Sequence, residues 1–345
     1  MAAAVMGAAG TSPRVTVLMP VYNGEEHLRE AIESILGQTF TDFELLIVDD
    51  GSTDRSVEVV GAYRDPRIRL VRNEANVGLI ATLNRGLDLA GGEFVCRMDQ
   101  DDISLPERIA RQAAFLDAHP GVGACGAWFR KFGAGREKVV RWETEPDGIR
   151  CGLLFDSMLG HPTVMLRREL FDRSGLRYDP AYKNAEDYEL WARVAEQCEL
   201  ANLDEVLLHY RVHPAQITQR ASAGQRETAG KVRLALLRKM GIDPSPEEFA
   251  IHQAVSTCVC GGIDDLFPKA EEWLCRLKDA NDRARIYPEP AFSRVLVERW
   301  LTFCKKAVQQ GHLSPKVVYF PKLLRKSGVG SGYVLNYLVR NLRNG

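Results

Sequence analysis

Residues 93–102 read Glu-Phe-Val-Cys-Arg-Met-Asp-Gln-Asp-Asp, an apolar run that closes on three carboxylates, Asp99, Asp101 and Asp102. Phe94 to Met98 suits a buried strand. Carboxylates crowded at its end repel one another, and a cation among them removes that cost. A solvated acidic turn is the alternative, and the decapeptide alone does not choose between the two.

The upstream sequence supplies the context. Val15 to Met19 is a short apolar run ended by Pro20, Phe43 to Val48 runs into Asp49-Asp50-Gly51-Ser52, and Ile68 to Val71 is a third run. Between them lie helical spacings. Glu25 to Leu36 carries Leu28, Ile32 and Ile35 after an Asn23-Gly24 turn, Ser52 to Tyr63 has Ser52 as its cap, and Leu79 to Leu89 closes at Gly91-Gly92. Strand-helix alternation implies an α/β fold with a parallel sheet and right-handed crossovers. Its polar clusters, Tyr22-Asn23, Asp49-Asp50 and Asp99 to Asp102, then all fall at the carboxyl ends of strands, where open α/β sheets take their ligands.

Downstream the spacing predicts a helix over Pro106 to Ala118, a strand over Val122 to Phe129 and a hairpin or loop over Lys131 to Trp142. A helix over Asp147 to Phe155, a strand over His161 to Leu166, an amphipathic helix over Glu186 to Glu196 and a strand over Val206 to Val212 follow. After about Ala221 helical spacing takes over, through Val232, Leu236 and Leu237, then Trp273 to Leu277, then Leu296 to Phe303. The expected organisation is a disordered tail over 1–14, an α/β domain over 15–220 and a helical region over 221–345.

Bulk composition excludes several classes. The 345 residues are 45% hydrophobic and 26% charged, with a net charge of −1, so nothing in the balance points to nucleic acid. Eight scattered cysteines show no zinc spacing and read as free thiols in a reducing cytoplasm. The first residues lack the basic and apolar parts of a signal peptide, and no apolar stretch is long enough for a membrane span. Beyond Glu298, however, there are nine Lys or Arg and no acid. That basic segment, with Val334, Leu335, Leu338 and Leu342, reads either as peripheral contact with an anionic membrane or as a helix packed on its own domain.

Each polar cluster has a chemical reading and a plain one. Tyr22, beside Pro20 and Asn23, could stack on a base whose N–H a nearby carboxylate accepts; a half-buried tyrosine and a turn-forming Asp-Gly are the alternative. Asp99 to Asp102 offer the hard oxygens that Mg²⁺ or Mn²⁺ shares with phosphate. Glu186 and Asp187 open a helix, either as dipole partners or with one carboxylate as a general base. Tyr188 or Trp191 could face an acceptor, as could His161. Alternation in His209-Tyr210-Arg211-Val212-His213 puts Arg211 and His213 on one face, toward a phosphate or a metal.

Residues 15–56, beginning VTVLMPVYNG, together with residues 76–109, with HPTVMLRREL, AEDYELWARV and HYRVHPAQIT, closely resemble family 2 glycosyltransferases, from about Val15 to Thr218. The resemblance implies a GT-A fold: a mixed, mainly parallel sheet flanked by helices. It implies an inverting transfer from a nucleotide-sugar donor, here a UDP-sugar with thymine and guanine nucleotides left open, to a saccharide or lipid-linked acceptor in polysaccharide or glycoconjugate synthesis. Carried over by position, Tyr22 flanks the base and Asp50 bonds it. Asp99 contacts ribose or sugar, and Asn76 to Gly86 line the donor sugar. Asp101, with Asp99 and His213, holds Mn²⁺ or Mg²⁺. Asp187 is the base, and Glu186, Trp191 and His161 lie on the acceptor side. No Gln-x-x-Arg-Trp motif of processive synthases is present, which implies single addition. A sugar-nucleotide-binding subunit without catalysis is the alternative, disfavoured by the intact Asp101 and Asp187.

Overall fold

The computed structural model describes residues 12–214, 222–261, 265–313 and 322–342. Residues 1–11 of the expected tail, Gln216 to Thr218, and residues 314–321 and 343–345 of the basic segment lie outside them. The chain forms two compact units. One comprises Met1–Trp142, Leu159–Ala181 and Ala201–Arg220, the other Glu143–Met158, Tyr182–Leu200 and Ala221–Gly345.

The first unit is built on a nine-stranded sheet: β1 (Val15–Val21), β2 (Phe43–Asp49), β3 (Ile68–Arg72), β4 (Phe94–Arg97), β5 (Ile103–Ser104), β6 (Val122–Gly133), β7 (Lys138–Val140), β8 (Met165–Arg167) and β9 (Glu199–Val212). The order is β3-β2-β1-β4-β8-β6-β9-β5, with β7 on β6. Parallel pairing joins β3, β2, β1 and β4; β8 pairs antiparallel with both β4 and β6, and β5 pairs antiparallel with β9. Every residue of β1 is buried, as a strand covered on both faces requires. In helix α1 (Leu28–Leu36) the buried Leu28, Ala31, Ile32 and Ile35 form one stripe, joining β1, β2 and β4 in the core.

Three local expectations change. The helix after β2, α2 (Ser56–Gly61), starts four residues later than Ser52, because the Ser52 hydroxyl accepts the Asn23 N–H at 3.0 Å and is spent between loops instead of capping. His161–Thr163 forms a 3₁₀ turn, so the strand there shrinks to Met165–Arg167; Pro162 has no N–H to give a ladder. Strand β9 begins at Glu199, seven residues before the expected start. The remaining helices of this unit are α3 (Leu79–Leu89), α4 (Arg108–Ala118) and α6 (Arg168–Ser174).

The second unit is helical: α5 (Pro146–Gly152), α7 (Glu186–Val194), then Ser222–Lys239, Pro246–Thr257, Leu266–Ala284, Ala291–Gln309, Lys322–Ser327 and Ser331–Leu342. Pro246–Thr257 opens on a full capping box: Ser245 Oγ accepts the Glu248 N–H at 3.2 Å, and Glu248 Oε2 accepts the Ser245 N–H at 2.8 Å. At its centre His252 is buried, with Nε2 3.1 Å from the Leu154 carbonyl and Nδ1 accepting the Trp273 indole N–H at 3.1 Å. Among the described residues no helix is long and apolar enough to cross a membrane.

Candidate active site

Because β1, β2 and β4 run parallel, their loops leave from one edge: Tyr22-Asn23 after β1, Asp50 after β2 and Asp99 to Asp102 after β4. The short β5 extends the last loop against β9, with Ile103 opposite His209, and this pairing fixes where Arg211 and His213 arrive.

Candidate ligand oxygens of Asp99, Asp101 and Asp102 all lie within 4.8 Å of one another. Asp99 pairs with Arg97, the charged residue inside β4. Burial holds the Asp99 carboxyl above its ordinary range against the pull of Arg97, with Asp101 adding to the rise. Asp101 Oδ2 lies 2.8 Å from His213 Nε2. Asp102 is buried; its Oδ1 accepts the Arg211 N–H at 2.9 Å, while its Oδ2 has no hydrogen-bond partner. Burial, then the neighbouring Asp99 and Asp101 charges, push Asp102 well above the usual carboxylate range. A buried acceptor without a donor costs about 1–3 kcal/mol, more when charged. Three hard carboxylates with one orphaned oxygen fit a divalent cation.

Arg211 is held at three points. Its Nε donates to the Asp101 carbonyl at 2.8 Å, its Nη2 reaches Glu30 at 2.8 Å, and its guanidinium lies 4.6 Å from the Phe132 ring centroid. It braces the aspartate loop.

Tyr22 is 44% exposed at the end of β1. Its backbone is gripped by Gln100: the Tyr22 N–H donates to Oε1 at 2.8 Å, and Nε2 donates to the Tyr22 carbonyl at 3.1 Å. Asn23, at φ +47°, accepts the Thr53 N–H at 2.8 Å and so ties the loops after β1 and β2. Pro20 is buried within β1. Asp50 is nearly buried, and its carboxylate takes three donors of its own chain: Asn73 Nδ2 at 2.7 Å, Val77 N–H at 2.9 Å and Gly78 N–H at 2.9 Å. Those bonds shape a wall that carries the exposed Asn76. Gly51, at φ +71°, is required beside it, since a Cβ there would lie 2.7 Å from the Ala75 carbonyl carbon.

His161 sits in the same unit, 2.8 Å from the Tyr178 hydroxyl; burial and the charge of Arg97 hold its imidazole well below the ordinary range. Glu186, Asp187 and Trp191 belong to the second unit. Asp187 is partly exposed in the first turn of α7, whereas Glu186 is buried and Trp191 has no accessible surface. The expectation that Trp191 faces an acceptor is therefore corrected: its helical phase turns it into the interior. Tyr188 is also buried, its hydroxyl donating to the Leu153 carbonyl at 2.6 Å.

Comparison with known proteins bears on this edge directly. The family described as glycosyl transferase family 2 matches residues 16–175. An uncharacterized glycosyltransferase of Haemophilus influenzae is 30% identical over 247 residues, 67% of this chain and 76% of that one. The chain belongs to glycosyltransferase family 2. The amylovoran biosynthesis glycosyltransferase AmsE of Erwinia amylovora is 32% identical over 211 residues, 59% of this chain and 79% of AmsE. Among solved structures, S. aureus TarS 1-349 in complex with UDP-GlcNAc aligns with a TM-score of 0.57 at 18% identity, covering 86% of this chain and 92% of that one. The fold is GT-A. In this transferase the family match contains Tyr22, Asp50 and the three aspartates; Asp187 and His213 lie beyond it.

Proposed function

We propose that this family 2 glycosyltransferase moves a single sugar, with inversion, from a nucleotide-diphosphate sugar, in the first instance a UDP-sugar, to a hydroxyl of a saccharide or lipid-linked acceptor on the cytoplasmic side. The observation that carries the reading is the aspartate cluster with its orphaned Asp102 oxygen, at the same strand edge as the exposed Tyr22. The role of AmsE in amylovoran biosynthesis supports polysaccharide synthesis as the setting.

Tyr22 offers a ring face for the base, and the Asn73–Gly78 wall held by Asp50 bounds the donor, with Asn76 toward the sugar. Asp101 and Asp102, with Asp99 and His213 adjoining, would hold Mn²⁺ or Mg²⁺. An ion held by these carboxylates would supply positive charge to the diphosphate leaving group. Asp187 is the general base: its carboxylate takes the proton of the acceptor hydroxyl, whose oxygen bonds to the anomeric carbon as the diphosphate leaves from the opposite face. One displacement inverts the centre, and no nucleophilic side chain is needed. Calorimetric titration with UDP, GDP and dTDP, each with and without Mn²⁺, tests the donor assignment. UDP binding that requires Mn²⁺ is expected. Binding indifferent to metal, or a preference for GDP or dTDP, rejects the corresponding part.

A further inference from the structure

The second unit holds an apolar surface that none of this chemistry uses. In the helix Ser331–Leu342, Tyr333 donates its hydroxyl hydrogen bond to Glu298, and Tyr337 Oη lies 2.8 Å from Thr302 Oγ1. Arg294 lies over the Tyr333 ring, 5.4 Å from its centroid. Arg294, Glu298 and Thr302 recur every fourth residue along Ala291–Gln309, so one stripe of that helix receives the tyrosine stripe of the last. Leu335 is 63% exposed, Leu338 36% and Val339 40%. At about 100° per residue these three centre roughly 170° from the two tyrosines. Docking on its own unit is thus satisfied by one face, and the apolar face opposite is left in water. Among the described residues the other exposed large hydrophobics are Tyr22 and Val77, on loops of the first unit, and Val259 alone.

The charge of the surrounding chain identifies the occupant. Nine Lys or Arg and no Asp or Glu follow Glu298, although the whole protein has a net charge of −1. Lys322 and Arg325 are exposed on the preceding helix, and Lys306 is exposed on Ala291–Gln309. A protein partner or a second copy of this chain would meet the apolar residues equally well. Three exposed apolar side chains, with exposed Lys322 and Arg325 on the preceding helix, match an anionic phospholipid headgroup layer over acyl chains.

We infer that the Leu335-Leu338-Val339 face of the last helix, with its basic flank, docks this transferase on an anionic lipid bilayer. Attachment is peripheral, which suits repeated access to lipid-linked acceptors, and the surface acts independently of the donor chemistry.

Co-sedimentation of the full chain with extruded vesicles tests it, using phosphatidylcholine alone and phosphatidylcholine with phosphatidylglycerol, at low and high salt. Each basic residue near an anionic surface is worth about fivefold in partitioning. Selective sedimentation with the phosphatidylglycerol vesicles, at least about tenfold over neutral ones and reversed by salt, is expected. The Leu335→Ser/Leu338→Ser variant loses it while keeping its thermal midpoint and UDP binding, and Lys322→Ala/Arg325→Ala loses part of it. Failure of the native chain to sediment, or equal sedimentation of the serine variant, overturns the inference. So does a native dimer in gel filtration that the serine variant abolishes without any vesicle binding.

Discussion

The aspartate loop of the first unit and the His252 bridge of the second both bury titratable side chains, and they treat them in opposite ways. His252 has a partner on each ring nitrogen, and burial pushes its pKa down to about 3, so it is neutral and fully satisfied. Asp102 keeps one oxygen without a donor beside two further carboxylates. The first arrangement stabilises; the second is held at a cost by its surroundings, β5 against β9 on one side and Arg211 on the other. A buried group with every valence met belongs to architecture, and a buried group left short belongs to whatever fills the gap.

If that contrast is right, Asp101→Ala has the largest effect on function. Removing the proposed ligand should weaken Mn²⁺-dependent nucleotide binding by at least about a hundredfold, beyond the loss typical of outer-shell partners. Calorimetry reads it, and the thermal midpoint without metal should hardly move. His252→Leu should do the reverse, costing about 3 kcal/mol of stability in denaturant unfolding through two lost hydrogen bonds and imperfect refilling, with nucleotide affinity unchanged. His252 also sets a pH slope. Its folded pKa lies below its unfolded value near 6.5, so the unfolded state binds the extra proton and stability falls as pH drops from about 6.5 toward 3. Its share of the slope approaches about 1.4 kcal/mol per pH unit and should be missing in His252→Leu, while His161, also held low by burial, keeps its own share. A variant with the native slope would assign the effect elsewhere.

Asp102→Asn probes the same contrast at smaller scale. The amide is nearly isosteric and relieves a buried charge that burial and two neighbours oppose. The metal-free protein should gain about 1–2 kcal/mol, while the stabilisation expected of Mn²⁺ in the native chain should shrink. Thermal melts with and without Mn²⁺ separate the two. Since the amide oxygen still accepts the Arg211 N–H, a variant destabilised in both conditions would make the Asp102 charge itself stabilising, through its attraction to Arg97.

Much of this was legible in the sequence, for a physical reason. Strands buried on both faces leave no alternation, so the residue at which an apolar run breaks into polar ones marks the carboxyl edge, as after Val21, Val48 and Met98. The burden on Asp102 was less visible, since three acids within four residues look alike until burial separates them. One signal was available: Arg97, a charge inside an apolar strand, stands two residues before Asp99, the spacing of one strand face. The interleaving of the units could not be read, because period reports an element's kind and not its partner. Nothing in Asp147 to Phe155 or Glu186 to Glu196 says that they assemble with the helices after Ala221.

Gln100 is the subtlest case, because between Asp99 and Asp101 it reads as a spacer. Its amide matches the Tyr22 peptide donor to acceptor and acceptor to donor, so the loop that carries the ring and the loop that carries the carboxylates move as one. The fit is close: a Cβ at Gly24 would come within 2.6 Å of Gln100 Oε1. Gln100→Ala removes both bonds but leaves the carboxylates untouched, so metal affinity alone should hold. UDP affinity in the presence of Mn²⁺ should fall about three- to tenfold, the worth of one to two net hydrogen bonds. Gln100→Glu keeps the acceptor for the Tyr22 N–H but sets an oxygen against the Tyr22 carbonyl, so it should bind UDP more weakly than Gln100→Ala despite its closer shape. If both variants bind UDP as the native chain does, the two loops are coupled by the backbone alone, and the ring of Tyr22 needs no help from the aspartate loop to hold its place.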